Sequence, residues 1–244
     1  MDIESKDDLL WYFAYGSNMS VAKFSGSRGI IPLNATPVFI PGWVLLMEIP
    51  GLPYSEPSFS SIRRRMQDDL EVLHTPDVSG VAYLITAKQY QHVVASEGGG
   101  IAYCDIEAVG TRIDDGSSVR LRTLGSAMNR SPCPRPSERY MGLLQQGAKD
   151  AKLSMEYCQY LEDLPTYQPS SSTWHRLGAI IFLNIFRPLM ALMEEITTTN
   201  IKEDGNAPRW VIAIVRFTVF VIWATHDWIF TPVFGRGDGL NSFD

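Results

Sequence analysis

The feature that most constrains this fold is an apolar, β-favouring run, Trp11-Tyr12-Phe13, that stops abruptly at Gly16-Ser17-Asn18. Such a run is typical of a buried strand that feeds a tight loop. Glycine lets the main chain approach a ligand closely and adopt positive φ, and successive N–H groups in a turn form a concave nest for an anion. We therefore expect a strand that ends in a ligand-binding loop.

Similar runs recur through the first half of the chain. Short β-rich runs cover residues 11–15, 36–40, 43–49, 58–64, 79–85, 102–113 and 119–123, with a hairpin turn at Asp114-Asp115-Gly116. Helical spacing of apolar residues covers residues 87–96, 138–151 and 154–164, and Thr86 and Ser137 are suited to cap the first two helices. This order predicts an α+β fold with a small mixed, barrel-like sheet and inserted helices.

One acidic residue, Glu97, stands directly before Gly98-Gly99-Gly100. A carboxylate on such a turn can move a proton on whatever the nearby loop holds. The local sequence also fits a simpler interpretation, in which Glu97 is a surface residue at a helix end, because Gly98 is typical of a helix terminator. Gly16-Ser17-Asn18 likewise fits an ordinary strand-ending turn.

Taken together, the chain resembles the γ-glutamylcyclotransferase family over roughly residues 11–165. The resemblance rests on residues 13–19, 80–85, 87–95 and 97–98, on Tyr103, on Pro136-Ser137-Glu138-Arg139-Tyr140, and on residues 143–149 and 155–157. Residues 51–62 are also similar to the fungal branch of this family that serves secondary-metabolite pathways.

The resemblance implies a lyase that needs no cofactor and no nucleophile of its own. The substrate's α-amino group attacks its γ-carbonyl, 5-oxoproline forms and an amine leaves, with Glu97 as the general acid/base between the two nitrogens. The implied substrate is a small γ-glutamyl amide or glutathione conjugate. The residues implied to bind it are Tyr15, Gly16, Ser17, Asn18, Tyr103 and Tyr140.

Other interpretations stay open at this point. Tyr103 and Tyr140 fit the core as well as a pocket, because a tyrosine ring buries readily wherever its hydroxyl finds one partner. Two other functions also stay open: a family member repurposed for another cyclisation or isomerisation of a secondary metabolite, or a non-catalytic, membrane-associated binding protein.

Charge and composition limit the kinds of molecule that we expect this protein to bind. A net charge of −6 and a pI near 5.3 argue against nucleic acid. Three cysteines and four histidines show no metal-ligand spacing, so we expect no metal site.

Residues 1–8 are polar and acidic, which is unlike a secretory signal and predicts a cytoplasmic protein. The basic run Arg63-Arg64-Arg65 fits either a solvent-exposed strand end or a binding site for an anionic substrate.

The composition changes after residues 165–173, which have the prolines and serines of a linker. Residues 177–193 and 210–230 are apolar runs, interrupted by Arg187 and Arg216. An arginine at the centre of a spanning helix costs roughly 2.5–3.5 kcal/mol. We predict a cyclotransferase-like domain over residues 8–168 and an apolar, helical C-terminal extension over residues 169–244. The helices pack on the core or on a partner, lie on a membrane surface, or span it, and the oligomeric state stays open.

Overall fold

The computed structural model describes residues 9–20, 22–66 and 75–240, so the expectations for residues 1–8 lie outside the described part. The strands are Leu9–Ala14 (β1), Asn34–Phe39 (β2), Trp43–Leu52 (β3), Glu56–Arg64 (β4), Ser79–Thr86 (β5), Tyr103–Arg112 (β6) and Ser118–Ser126 (β7). The helices are Ala87–Ser96 (α1), Glu138–Asp150 (α2), Met155–Asp163 (α3), Thr173–Asn200 (α4), Arg209–Thr225 (α5) and Thr231–Phe234 (α6). Short helical turns lie at Ser17–Met19 and Ala22–Ser27, and a π-helical turn, His226–Phe230, joins α5 to α6.

Five of these strands close into a barrel in the order β1-β5-β2-β6-β7. Neighbouring strands are antiparallel, except that β1 and β7 pair in parallel. The mixed, closed sheet with its helices confirms the predicted α+β fold. The strands β3 and β4 differ from the expectation of one sheet, because they pair with each other as a separate hairpin.

The barrel interior is filled by apolar side chains from its strands. Fully buried side chains include Phe13 from β1, Val38 from β2, Ile85 from β5 and Leu121 from β7. Each buried side chain of this size stabilises the fold by roughly 1.5–3 kcal/mol relative to an exposed one. The β-favouring runs that predicted the strands thus also supply the core of the barrel.

The two helices flanking the site begin at their predicted caps. Thr86 Oγ1 accepts a hydrogen bond from the Gln89 N–H at 3.2 Å, and the Thr86 N–H donates to Gln89 Oε1 at 2.9 Å. Ser137 Oγ accepts from the Tyr140 N–H at 3.0 Å. At its other end α1 stops at Glu97, and Gly98 follows at φ 86°, a backbone conformation that favours glycine.

The C-terminal extension forms two long helices. Helix α4 is longer than predicted at both ends and contains Pro188. Its last turns are polar, and their threonine hydroxyls donate to backbone carbonyls one turn earlier, as Thr197 does to Met193 at 2.7 Å and Thr199 to Glu195 at 2.7 Å. The polar turns therefore stay helical although the apolar run ends before them.

Polar side chains of α5 and the turn after it contact the rest of the protein. Arg216 Nε donates to the Ile101 carbonyl at 2.9 Å, Trp223 Nε1 donates to the Gly51 carbonyl at 3.0 Å, and Asp227 pairs with Arg130 at 2.7 Å. Arg216 on α5 and Asp227 in the turn after it thus both face the rest of the protein.

By length and composition, α4 and the continuous helix Arg209–Phe234 are each sufficient to cross a membrane. Their most apolar windows are 22% and 33% buried inside the protein. Helices of this length and composition occur both in membranes and in the cores of soluble proteins.

Candidate active site

The loop after β1 is held close to the hairpin β3–β4. Gly16 precedes the helical turn Ser17–Met19, and a Cβ on Gly16 would lie 2.7 Å from Ser60 Oγ and 3.3 Å from Tyr140 Oη. The φ of Gly16 is −111°, so the expected positive φ is wrong here. Glycine is needed at this position because of the close approach, and not because of the backbone conformation.

The N–H groups of this loop are available for a ligand. In a helical turn the first N–H groups have no partner within the turn. In the described part of the chain, the N–H groups of Ser17 and Asn18 make no backbone hydrogen bond, whereas that of Met19 donates to the Gly16 carbonyl at 3.0 Å. Two adjacent donors are therefore left without a backbone acceptor among the described residues, which suits them to bind an anion.

Glu97 is fixed by one of its two carboxylate oxygens. Oε1 accepts a hydrogen bond from Asn18 Nδ2 at 3.0 Å and also pairs with the Arg28 guanidinium. Among the described residues, no group donates to Oε2. The carboxylate is thus held in place and keeps one oxygen free for proton transfer.

All seven residues predicted for the site lie around one small polar cavity of about 30 Å³. These residues are Tyr15, Gly16, Ser17, Asn18, Glu97, Tyr103 and Tyr140. The structure adds Tyr12, Ser60 and Leu124 to the wall. A loop and a turn that are far apart in sequence thus meet at one polar cavity.

The tyrosine hydroxyls of this cavity are tied to the backbone around it. Tyr15 donates to the Leu124 carbonyl at 2.5 Å and Tyr103 donates to the Ser60 carbonyl at 3.0 Å. Tyr140 Oη accepts from the Ser60 N–H at 3.1 Å. Burial raises the pKa of Tyr140 to about 12, so its phenol stays neutral near pH 7.

Two cationic side chains near Glu97, Arg28 and Lys23, were not predicted from the sequence. Arg28 Nε donates to Asn18 Oδ1 at 2.7 Å, and Lys23 Nζ donates to Ser17 Oγ at 2.7 Å. Burial lowers the pKa of Lys23 below its ordinary value. Neither cation lies in a recognisable motif. The one local feature that marks Arg28 is that Gly26 and Gly29 lie on either side of it.

A second, larger cavity of about 610 Å³ adjoins the first one. It lies between the hairpin β3–β4, the end of α1 and the helices α4 and α5. Ser17, Glu97, Tyr103 and Tyr140 line both cavities. Glu97 therefore stands where a polar space and a mostly apolar space meet.

The described residues contain one cluster with the composition of a metal site, His226, Asp227 and Asp238, whose ligand atoms lie within 4.8 Å of one another. Its atoms already have protein partners. His226 Nδ1 lies 2.8 Å from Asp227, its Nε2 accepts from the Gly237 N–H at 2.9 Å, and Asp238 pairs with Arg236 at 2.5 Å. This network joins the C-terminal segment to the end of α5.

The basic run Arg63-Arg64-Arg65 contributes to neither cavity at Glu97. The Arg64 guanidinium lies 5.6 Å from the ring centre of Trp43, and Arg65 pairs with Asp77 at 3.2 Å. These contacts fit the interpretation of the run as a strand end.

Comparison with known proteins gives related sequences that match nearly end to end. The chain is 41% identical to γ-glutamyl cyclotransferase aclK of Aspergillus oryzae, covering 96% of this chain and 92% of that one. It is 34% identical to γ-glutamyl cyclotransferase gliK of Aspergillus fumigatus, with 94% and 89% covered, and 35% identical to gliK of Claviceps purpurea, with 91% and 100% covered. Residues 172–233 match the family described as the AclK C-terminal domain.

Solved structures match the fold over about two thirds of the chain. A γ-glutamyl cyclotransferase and an uncharacterized human protein each superpose with a TM-score of 0.54 at 19% identity. Both alignments cover 68% of this chain, and they cover 91% and 95% of the respective structures. Together with the near-complete match to the fungal sequences, this establishes that the chain belongs to the γ-glutamyl cyclotransferase family, in a branch shared with those fungal enzymes.

Proposed function

We propose that this protein is a cofactor-free lyase that releases 5-oxoproline from a γ-glutamyl amide or glutathione conjugate in secondary metabolism, with Glu97 as general acid/base. The observation that carries the proposal is the Glu97 carboxylate, which is fixed through Oε1 and keeps Oε2 free at the polar cavity. The names of the related fungal enzymes support the reaction class.

The first step forms the ring. Glu97 Oε2 takes a proton from the substrate's α-amine, and the amine nitrogen attacks the γ-carbonyl carbon to close a five-membered ring. Negative charge develops on the carbonyl oxygen, where the N–H groups of Ser17 and Asn18 are suited to stabilise it. The lone pairs on the hydroxyls of Tyr15 and Tyr103 orient the amine, because the hydrogen of each hydroxyl already binds a backbone carbonyl.

The second step expels the amine. The protonated Glu97 gives its proton to the leaving nitrogen, the carbon–nitrogen bond breaks and the carbonyl of 5-oxoproline reforms. The carboxylate returns to its starting state, so the reaction consumes no external acid, base or oxidant. The side chains of Arg28 and Asn18 position the carboxylate through Oε1, whereas the backbone N–H of Asn18 is the group that binds the developing oxyanion.

The experiment is an assay of 5-oxoproline by mass spectrometry after incubation with γ-glutamylalanine, glutathione and S-hexylglutathione. Release from at least one of these, lost in Glu97→Gln, supports the lyase. A ring-closed or isomerised product other than 5-oxoproline from a supplied secondary metabolite would instead favour the repurposed enzyme. Binding without any Glu97-dependent turnover would favour the non-catalytic protein.

For location and partners we propose a cytoplasmic enzyme without a nucleic-acid partner that contacts a membrane surface through the C-terminal extension. The outward sides of α4 and α5 expose large apolar residues, among them Ile180, Ile185, Phe217 and Phe220. Exposed apolar surface of this kind is typical of a contact with a membrane or a protein.

A further inference from the structure

The small cavity is lined by polar groups, among them the N–H donors of Ser17 and Asn18, which suits the γ-carbonyl of the substrate. In the proposed reaction the attacking and leaving nitrogens are both bonded to that carbon, so the rest of the leaving amine extends from the small cavity into an adjoining space. Two larger cavities adjoin it at Glu97, and the one of about 610 Å³ also shares the loop residue Ser17, whereas the one of about 450 Å³ does not. The cavity of about 610 Å³ is therefore the one that adjoins the loop at the γ-carbonyl.

Helix α4 supplies one wall of this larger cavity. The residues it contributes lie at helical spacing and so share one face of the helix. They are Arg187, Met190, Ala191, Met193, Glu194, Thr197 and Thr198. Val215 and Val219 of α5 add a second apolar wall, and both are buried.

The hairpin β3–β4 closes the opposite side with Ile49 and Phe59. The volume of about 610 Å³ falls within the roughly 300–1,000 Å³ of typical small-molecule sites, which are mostly apolar with few polar groups. Methionine side chains such as Met190 and Met193 adapt to irregular apolar shapes. The cavity is thus far larger than a small leaving amine would fill.

We infer that this cavity is the subsite of the leaving amine, and that α4 selects substrates whose amine carries a large apolar group. The inference rests on the proposed function, since it assigns the second half of the same site. It also gives the C-terminal extension a direct part in substrate choice, through Met190 and Ala191 on its inner face.

The test compares two probes and two matched tryptophan variants. Ala191→Trp fills the cavity from an exposed wall position, and Leu192→Trp places the same ring at the neighbouring, exposed position outside the cavity wall. Each is combined with Glu97→Gln, so that no turnover occurs, and calorimetry gives the Kd of S-hexylglutathione and of γ-glutamylalanine. The turnover ratio of the two substrates is measured in parallel with Glu97 intact.

We expect Ala191→Trp to weaken the binding of S-hexylglutathione, relative to that of γ-glutamylalanine, by about tenfold or more. This is the scale at which a pocket discriminates between apolar groups. Leu192→Trp should leave the ratio unchanged. An equal loss for both probes, no loss for either, or no binding of S-hexylglutathione to the Glu97→Gln protein overturns the inference. Selective binding without 5-oxoproline from the unmodified protein would overturn the proposed reaction and retain the subsite.

Discussion

The side chain of Asn18 donates a hydrogen bond to Glu97 across 3.0 Å, joining two residues that are 79 positions apart. The other hydrogen on Asn18 Nδ2 goes to Tyr12 Oη at 2.9 Å, and Asn18 Oδ1 accepts from Arg28. One amide therefore ties the loop after β1, the turn after α1 and the wall of the barrel into a single arrangement.

Replacing the carboxylate should stop turnover and keep the fold. Glu97→Gln has nearly the same shape but no base, so we expect 5-oxoproline release to fall by a factor on the order of 10² or more. Glu107→Gln, an exposed position on β6, is the matched control. A folded Glu97→Gln protein with near-normal release would contradict the mechanism.

A methyl group at Gly16 should damage the polar cavity. The added Cβ of Gly16→Ala would lie 2.7 Å from Ser60 Oγ, closer than side-chain atoms pack. We expect the affinity for a γ-glutamyl ligand, measured by calorimetry, to fall about tenfold or more. The control is Gly26→Ala, where nothing lies within 4 Å of the added atom. Equal affinities in the two variants would show that the loop does not line the binding site.

Much of the fold could be predicted because short-range chemistry fixes it. Thr86 with Gln89, and Ser137 before α2, satisfy the first N–H groups of their helices, so the caps can be identified from the residues themselves. The barrel strands follow from short β-favouring runs bounded by turn residues. The separate pairing of β3 with β4 could not be predicted, because such runs look the same in a barrel strand and in a hairpin.

The site residues that belong to the family's sequence motifs could be predicted, and the other residues of the site could not. Arg28 and Ser60 meet Glu97 and Tyr140 only through the folding of distant segments. Their local sequence does not distinguish them from an ordinary surface cation and a strand serine. The large cavity forms only once α4 and α5 pack beside the hairpin β3–β4 and the end of α1, so its lining residues could not be identified from local sequence.

Acid should destabilise the protein through His226. Burial is the largest influence on this imidazole and lowers its pKa from the ordinary 6.5, against the opposing effect of Asp227 and Asp238. As pH falls below about 6.5, the unfolded chain binds the proton first, so the stability is present above that pH and is lost below it. Urea unfolding at pH 7.5 and pH 5.5 should show this loss. We expect a smaller pH-dependent loss in His226→Gln, and an equal loss would contradict the assignment.

Removing the C-terminal extension tests the proposed domain boundary. A chain that ends at residue 169 lacks the side chains that hydrogen-bond to the Gly51 and Ile101 carbonyls and that pair with Arg130. It also exposes the apolar side chain of Ile101. We expect a lower melting temperature and loss of turnover of S-hexylglutathione. A shortened protein that melts like the parent would show that residues 8–168 form an independent domain.

The membrane contact is tested on the outward side of α5. Phe217 and Phe220 are 65% and 61% exposed, and changing both to Glu should abolish flotation with liposomes of neutral and anionic phospholipids. The control is Val109→Glu on the barrel, where the valine is 58% exposed. Flotation that persists in the double variant, or that the parent protein lacks, would exclude this surface as the membrane contact.

Pro188 divides α4 into two halves with separate tasks. A proline has no N–H for the carbonyl one turn earlier, so the hydrogen-bond ladder of the helix is interrupted there. Phe182 and Phe186 before it pack in the cluster of Tyr54, Met193 after it packs in the cluster beside the large cavity, and Leu189 next to it contacts both clusters. Under the proposed subsite, substitutions a turn or more beyond Pro188 can reshape the large cavity while Phe182 and Phe186 keep the helix attached.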